Sequence, residues 1–195
     1  SGKSTGAKLL SKKYDLLLLN SGLLYRYASK ILITKKPKKP IPYLKKIFKK
    51  VSYNSIQKQS LHSQEISNHV SYLAKNKAVR EIMRLYQKKI IKKNKRICVE
   101  GRDIATKILN NNPKYDLAFY FTCKINISAK RRWKELRKRV PLKEVQRSLA
   151  KRTKMDKRRK HSPLKKVSDA ILIRTDKLSR KEVLNKMSKA VNRII

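Results

Sequence analysis

The sequence predicts an α/β protein, a parallel sheet with helices on both faces. Three observations predict it. Four short runs, Asp15 to Asn20 (DLLLLN), Arg96 to Glu100 (RICVE), Leu117 to Cys123 (LAFYFTC) and Ala170 to Arg174 (AILIR), are apolar throughout rather than alternating, as strands buried on both faces are. Long stretches of helical periodicity separate them. The chain also opens with Ser1-Gly2-Lys3-Ser4-Thr5, a helical pattern in Ala7, Leu9 and Leu10, and then the first of the apolar runs.

Composition sets the outer bounds. At 195 residues and 22.9 kDa the chain can bury one sizeable core, so one domain with inserts is expected. The longest apolar stretch, Leu16 to Leu19, is strand-sized, so no membrane span is expected. Ser1 to Thr5 hold neither an initiator Met nor the apolar core of a signal peptide, and read as the interior of something longer. Fifty-four Lys and Arg against twelve Asp and Glu give a net charge of +42, which implies non-specific attraction to polyanions. The charge is spread through nearly every segment without a zinc-knuckle or aromatic RNP pattern, which argues against a dedicated nucleic-acid module. Cys98 and Cys123 lie in strand-like runs without metal or redox spacing and read as buried free thiols of a reducing cytoplasm. His62, His69 and His161 show no ligand pattern, so no structural metal is expected.

Each segment has its own reason. Ser1 to Thr5 match the back half of a phosphate-binding loop, in which Gly2 lets the backbone approach phosphate, Lys3 reaches the β and γ oxygens and the Ser4 hydroxyl ligates Mg²⁺. A chance match in a Lys-rich chain is the competing reading; the helix and buried strand that follow favour the loop. Asn20 to Arg26 (NSGLLYR) end the first strand at the edge where open parallel sheets gather ligands, so Ser21 and Arg26 can meet a phosphate or sugar. Thr34 to Pro42, with three prolines and four lysines, should be a loop. Val79, Ile82, Met83, Tyr86 and Ile90 form a helical core stripe, as do Val183, Leu184, Met187, Val191 and Ile194. Glu100 to Thr106 (EGRDIAT) end the second strand at the same edge of the sheet, where two arginines and an acid are expected to converge. Lys143 to Lys160 is helical in pattern but too basic to bury much of a face. Arg152, Asp156 and Arg159 fall on one side of it. Ser179 and Glu182 form a capping box for the last helix.

Taken in order, SGKST, NSGLLYR, VREIM (Val79 to Met83), EGRDIAT, AKRRWKEL (Ala129 to Leu136) and SPL (Ser162 to Leu164) before DAILIRT resemble the bacterial cytidylate kinase family. The resemblance covers nearly the whole chain, is weakest from about Ile31 to Ser60, and is most specific at EGRDIAT with VREIM. It implies a P-loop nucleoside monophosphate kinase fold: core 1–26, 91–139 and 163–195, a monophosphate-binding region 27–90 and a lid 140–162. The implied reaction moves the γ-phosphoryl of Mg·ATP to CMP or dCMP. ATP would lie on Ser1, Gly2, Lys3, Ser4 and Thr5, with Ser4 on Mg²⁺.

The resemblance also assigns substrate residues. Those matching Arg80, Ser71 and Asp103 read cytosine, which offers adjacent O2 and N3 acceptors and an amine a carboxylate can accept from. Uracil presents the opposite pattern. Arg26, Arg102 and Arg159 surround the monophosphate and the moving phosphoryl, joined by Ser21 and Tyr25, and Arg152 with Asp156 meets the sugar. Lys3, Arg102 and Arg159 are the expected catalytic residues. The lid would close to keep water from hydrolysing ATP.

Several positions depart from the family pattern. Its first strand and the front of its P-loop have no counterpart ahead of Ser1, so an N-terminally truncated fragment is expected. Asn20 stands where Asp is usual, Ala105 where Gly is, and Thr153, Lys154 and Met155 where an Asp-Asp-Arg-like run is common. The insert after the first substrate helix is short and lysine-rich, so the family's small antiparallel sheet is not expected there. A cytoplasmic monomer acting on a small molecule, with no specific nucleic acid and no membrane partner, is the expectation. The alternatives are another small-molecule P-loop kinase, or a basic RNA- or ribosome-binding protein suggested by +42 alone.

Overall fold

The computed structural model describes residues 1–195, the side chain of Gln64 excepted. In chain order the elements are α1 (Lys3–Lys13), β1 (Leu17–Asn20), α2 (Ser21–Lys35), α3 (Pro40–Lys50), α4 (Tyr53–Gln57), α5 (Gln64–Leu73), α6 (Lys77–Lys93), β2 (Ile97–Glu100), a π-helical turn (Ile104–Ile108), β3 (Phe119–Thr122), α7 (Ile125–Glu135), α8 (Leu142–Arg158), β4 (Ile171–Arg174) and α9 (Arg180–Val191). All four expected strands are present, each starting one or two residues later than expected. The first cannot begin at Asp15, whose φ of 49° lies in the left-handed region that no strand residue adopts. The strands pair as β1 with β2 and as β3 with β4. No helix is long and apolar enough to cross a membrane.

The chain forms two compact units. The first comprises Ser1–Leu18 and Arg102–Ile195. Its sheet is the parallel pair β3–β4, with Phe119 opposite Ile171 and Thr122 opposite Arg174. Helix α1 packs on α9, and α7 on α8. Gly6 lets α1 come close: a Cβ there would stand 2.8 Å from Phe121 Cζ and 3.2 Å from Met187 Sδ. Lys13 Nζ donates to Ser188 Oγ across the same contact (2.9 Å). The capping box at Ser179 and Glu182 forms as the sequence implies. Ile194 lies beyond the end of α9 and is 53% exposed, so the stripe assigned to that helix stops short of it.

The second unit is Leu19–Gly101. Its helices enclose Leu24, Leu44, Ile56, Leu61, Val79 and Met83, all buried. Phe48 sits edge-on between Tyr27 and Tyr86, with ring centroids 5.9 and 5.1 Å away. The segment expected to be a loop over Thr34 to Pro42 is mostly helix: Thr34 and Lys35 finish α2, and Pro40 opens α3. The reason is positional. Proline in a first turn gives up an amide that has no intrahelical partner anyway, and its fixed φ suits the helix. Leu44 and Phe48, one turn apart, then bury the far side of α3. Residues 31–60 fall in α2, α3, α4 and the segments that follow them. Neither Cys98 nor Cys123 is in a disulfide, and both are half-buried rather than buried as expected.

Candidate functional site

The first unit holds Ser1 to Thr5 at the start of α1. Gly2 is its N-cap at φ 75° and ψ 3°, a left-handed conformation that glycine adopts without strain. No side chain caps the helix at Gly2 and its first turn holds no acid, so nothing there offsets the positive end of the helix dipole. Lys3 is half-buried beside them, and Ser4 and Thr5 are exposed. This is an arrangement that binds phosphate oxygens.

The same unit gathers Arg102, Arg152 and Arg159 around one carboxylate. Asp156 Oδ2 lies 3.3 Å from Arg102 Nε and 4.0 Å from Arg152 Nε, while Asp156 Oδ1 accepts from Arg159 Nη1 at 3.3 Å. Arg159 stands one residue beyond α8 in an extended conformation, where the sequence placed it on the helix. Its Nε donates to Ser162 O at 2.6 Å, holding Ser162 at a positive φ of 53°. Helix α8 buries only Val145 fully, in keeping with its basic composition. Asp103 is buried at the N-cap of the π-helical turn, whose Lys107 amide donates to its carbonyl at 2.9 Å. Such turns break the regular helical ladder and recur where a side chain must be aimed.

The second unit joins the other predicted residues into one cluster. Ser21 is the buried first residue of α2, and Tyr25 and Arg26 follow one turn later. Arg26 Nη1 donates to Leu61 O and to Ser67 Oγ, both at 3.0 Å. Ser71, the next turn of α5, donates to Ser67 O at 3.4 Å. The Arg80 guanidinium lies 5.8 Å from the Tyr25 ring centroid and donates to Ala74 O at 3.0 Å. Arg80 is buried, unusual for an arginine unless it is paired.

Two residues not foreseen from sequence stand beside these groups. Tyr53 Oη accepts the Asn20 amide at 2.7 Å, anchoring the turn from which α2 starts. Burial pushes that hydroxyl's pKa up; the Asn20 amide opposes this and Glu100 adds to it. In the first unit, Arg131 of α7 donates from Nη2 to Thr175 O at 2.7 Å and from Nη1 to Thr175 Oγ1 at 3.2 Å. Thr175, a polar residue directly after an apolar strand, was the available signal.

Residues 1–193 match the family model for cytidylate kinase. The chain is 32% identical over 195 residues to the cytidylate kinase of Rickettsia akari (strain Hartford), covering 96% of this chain and 85% of that protein. It is 30% identical over 207 residues to the cytidylate kinase of Aquifex aeolicus (strain VF5), covering 98% and 91%. It is also 36% identical over 216 residues to a bifunctional pantoate ligase/cytidylate kinase of Prochlorococcus marinus subsp. pastoris, covering 98% of this chain but only 41% of that longer protein.

Proposed function

Because the chain belongs to the cytidylate kinase family, we infer that it transfers the γ-phosphoryl group of ATP to CMP or dCMP, giving ADP and CDP or dCDP. The match across residues 1–193 carries this reading.

The residue roles extend it. The uncapped first turn of α1 and the Lys3 ammonium hold the β- and γ-phosphates, a role supported by the left-handed Gly2 and the absence of an acid in that turn. The exposed Ser4 hydroxyl is an oxygen ligand of the kind Mg²⁺ prefers, and the ion would supply charge neutralisation between the phosphates. Arg26, with Ser21 and Tyr25 on the same helix, receives the CMP phosphate; its bonds to Leu61 and Ser67 fix its fork beforehand. Arg80, Ser71 and Asp103 carry the recognition of cytosine. Arg102 and Arg159 follow charge onto the moving phosphoryl, and Arg152 and Asp156 contact the sugar; the pairing of all four in one cluster supports their acting together. Catalysis is positioning and electrostatic stabilisation, without a covalent intermediate. Residues 140–162 form the lid, 27–90 bind the monophosphate, and the remainder is the core. The enzyme acts as a cytoplasmic monomer on a small-molecule nucleotide.

An ADP-release assay with Mg·ATP and CMP, dCMP, UMP or AMP in turn tests the reading. Turnover selective for the cytidine nucleotides is expected. Equal turnover of UMP, or none with CMP from folded protein, would overturn it.

A further inference from the structure

We propose that Arg131 is a positioning residue for the phosphate loop, acting through the Thr175 hydroxyl on the backbone at Ser1 and Gly2. The inference rests on the reading of Ser1 to Thr5 as the ATP phosphate site. It concerns a side chain that neither contacts that loop directly nor stands out in the sequence.

The geometry runs through a single buried hydroxyl. Thr175 follows β4 and is 1% exposed. Its backbone is held from both sides, the amide by Thr122 O at 3.0 Å and the carbonyl by Arg131 Nη2 at 2.7 Å. Arg131 Nη1 lies 3.2 Å from Thr175 Oγ1, and a guanidinium can only donate. The hydroxyl is therefore the acceptor in that contact, and its one proton is left for a carbonyl. Ser1 O at 3.2 Å and Thr122 O at 3.3 Å are both in reach of it. Arg131 thus sets the direction of the hydroxyl bond that reaches the loop. The Thr175 side chain lies beside Gly2, for a Cβ added there would meet its Cγ2 at 3.8 Å and its Oγ1 at 3.9 Å.

The remaining contacts of Arg131 explain why a fork is needed. Nη1 also reaches Cys123 Sγ at 3.7 Å, just past β3, and Nη2 reaches Asp176 O at 3.5 Å, just past Thr175. One planar group ties the ends of both strands together beside the start of α1. A lysine has the charge but not two parallel donor rows. Neighbouring Arg132 does something unrelated, pairing with Glu135 on the exposed side of α7 at 3.0 Å. With the tether in place, Gly2 and the first amides of α1 stand in one position before ATP arrives, which lowers the cost of ordering them on binding.

Steady-state kinetics on the full chain, varying ATP and CMP separately, test this with Arg131→Lys, Thr175→Val, the double variant, Thr175→Ser and Lys3→Ala. Arg131→Lys and Thr175→Val are expected to raise KM for ATP about tenfold, the worth of one hydrogen bond to a charged group, and to leave KM for CMP within about twofold. The double variant should lose little more than either single, and Thr175→Ser, which keeps the hydroxyl, should restore ATP affinity. Equal rises in both KM values, or Thr175→Ser behaving as Thr175→Val, would reduce the contact to a purely structural one and overturn the proposal. Should Thr175→Val not fold, Arg131→Lys with Thr175→Ser decides the matter by the same split. Lys3→Ala separates the two levels of inference: full activity in it would sink the phosphate-loop reading and the tether together. Lost activity there, with ATP affinity untouched in Arg131→Lys, would sink the tether alone.

Discussion

Arg102 Nε lies 3.3 Å from Asp156 Oδ2, joining the turn after β2 to the far end of α8. That one carboxylate also faces Arg159 and Arg152, so a single negative charge holds three guanidinium groups together.

Asp156→Asn should therefore leave three arginines repelling one another. Arg159 is largely buried and Arg102 is 29% exposed, whereas Arg152 is 45% exposed at 4.0 Å and contributes little. Discounted for solvent screening, the expected loss is about 1–2 kcal/mol. Thermal unfolding should show it as a midpoint about 3–6 °C lower. High salt should return part of the loss, because screening weakens the exposed repulsions. An unchanged midpoint at low salt would mean the three arginines are held by other groups.

Arg80→Ala tests base recognition. The guanidinium is placed by Ala74 O and by the Tyr25 ring, so truncation removes a group that is already aimed. KM for CMP should rise about tenfold to a hundredfold, the range expected for charged hydrogen bonds to a base edge. KM for ATP should stay within about threefold of its value. Parallel weakening of both substrates would remove Arg80 from the base-reading role.

The same residues show how far the sequence reached. The strands were legible because each is a short, continuously apolar run, and the order of motifs pointed to the family. Spacing alone put Arg152 and Asp156 on one face, and they do face each other. What spacing could not supply was contact between distant segments. Arg131 and Arg132 are indistinguishable within AKRRW; only folding brings Arg131 to Thr175, 44 residues away, and leaves Arg132 in solvent. Tyr53 is in the same position, in the stretch where the family resemblance is weakest. Thr34 to Pro42 misled for a local reason, since proline breaks a helix interior but starts a helix well, and composition does not say which applies.

Gly6→Ala sets two effects of opposite sign against each other. In an open helix the change stabilises by up to about 1 kcal/mol. Here the new methyl meets Phe121 Cζ at 2.8 Å and Met187 Sδ at 3.2 Å, between α1, β3 and α9. Overpacking of this kind costs about 1–3 kcal/mol, so net destabilisation is expected. Denaturant melts should show it, and Phe121→Leu in the same chain should recover part of the loss by vacating the closest atom. A stabilised Gly6→Ala would mean the Phe121 ring moves aside freely.

Tyr86 governs part of the alkaline limit of stability. Burial, with smaller contributions from Tyr27 and Tyr53, raises its pKa from 10.0 to about 12. The protonated phenol donates to Val51 O at 3.1 Å, and a phenolate cannot. Because the folded pKa lies above the unfolded one, the contribution is fully present below pH 10 and is lost as the pH rises through about 12. Tyr86→Phe removes the hydrogen bond, so at pH 8 the variant should be less stable by about 1 kcal/mol. It also removes the titration. Urea unfolding from pH 8 to 12 should show the gap between parent and variant closing above pH 10 and tending to reverse, while effects common to both chains, such as lysine deprotonation, cancel in the difference. A gap constant across that range would mean the phenol titrates alike in the folded and unfolded chain, and that its bond to Val51 is not what keeps it protonated.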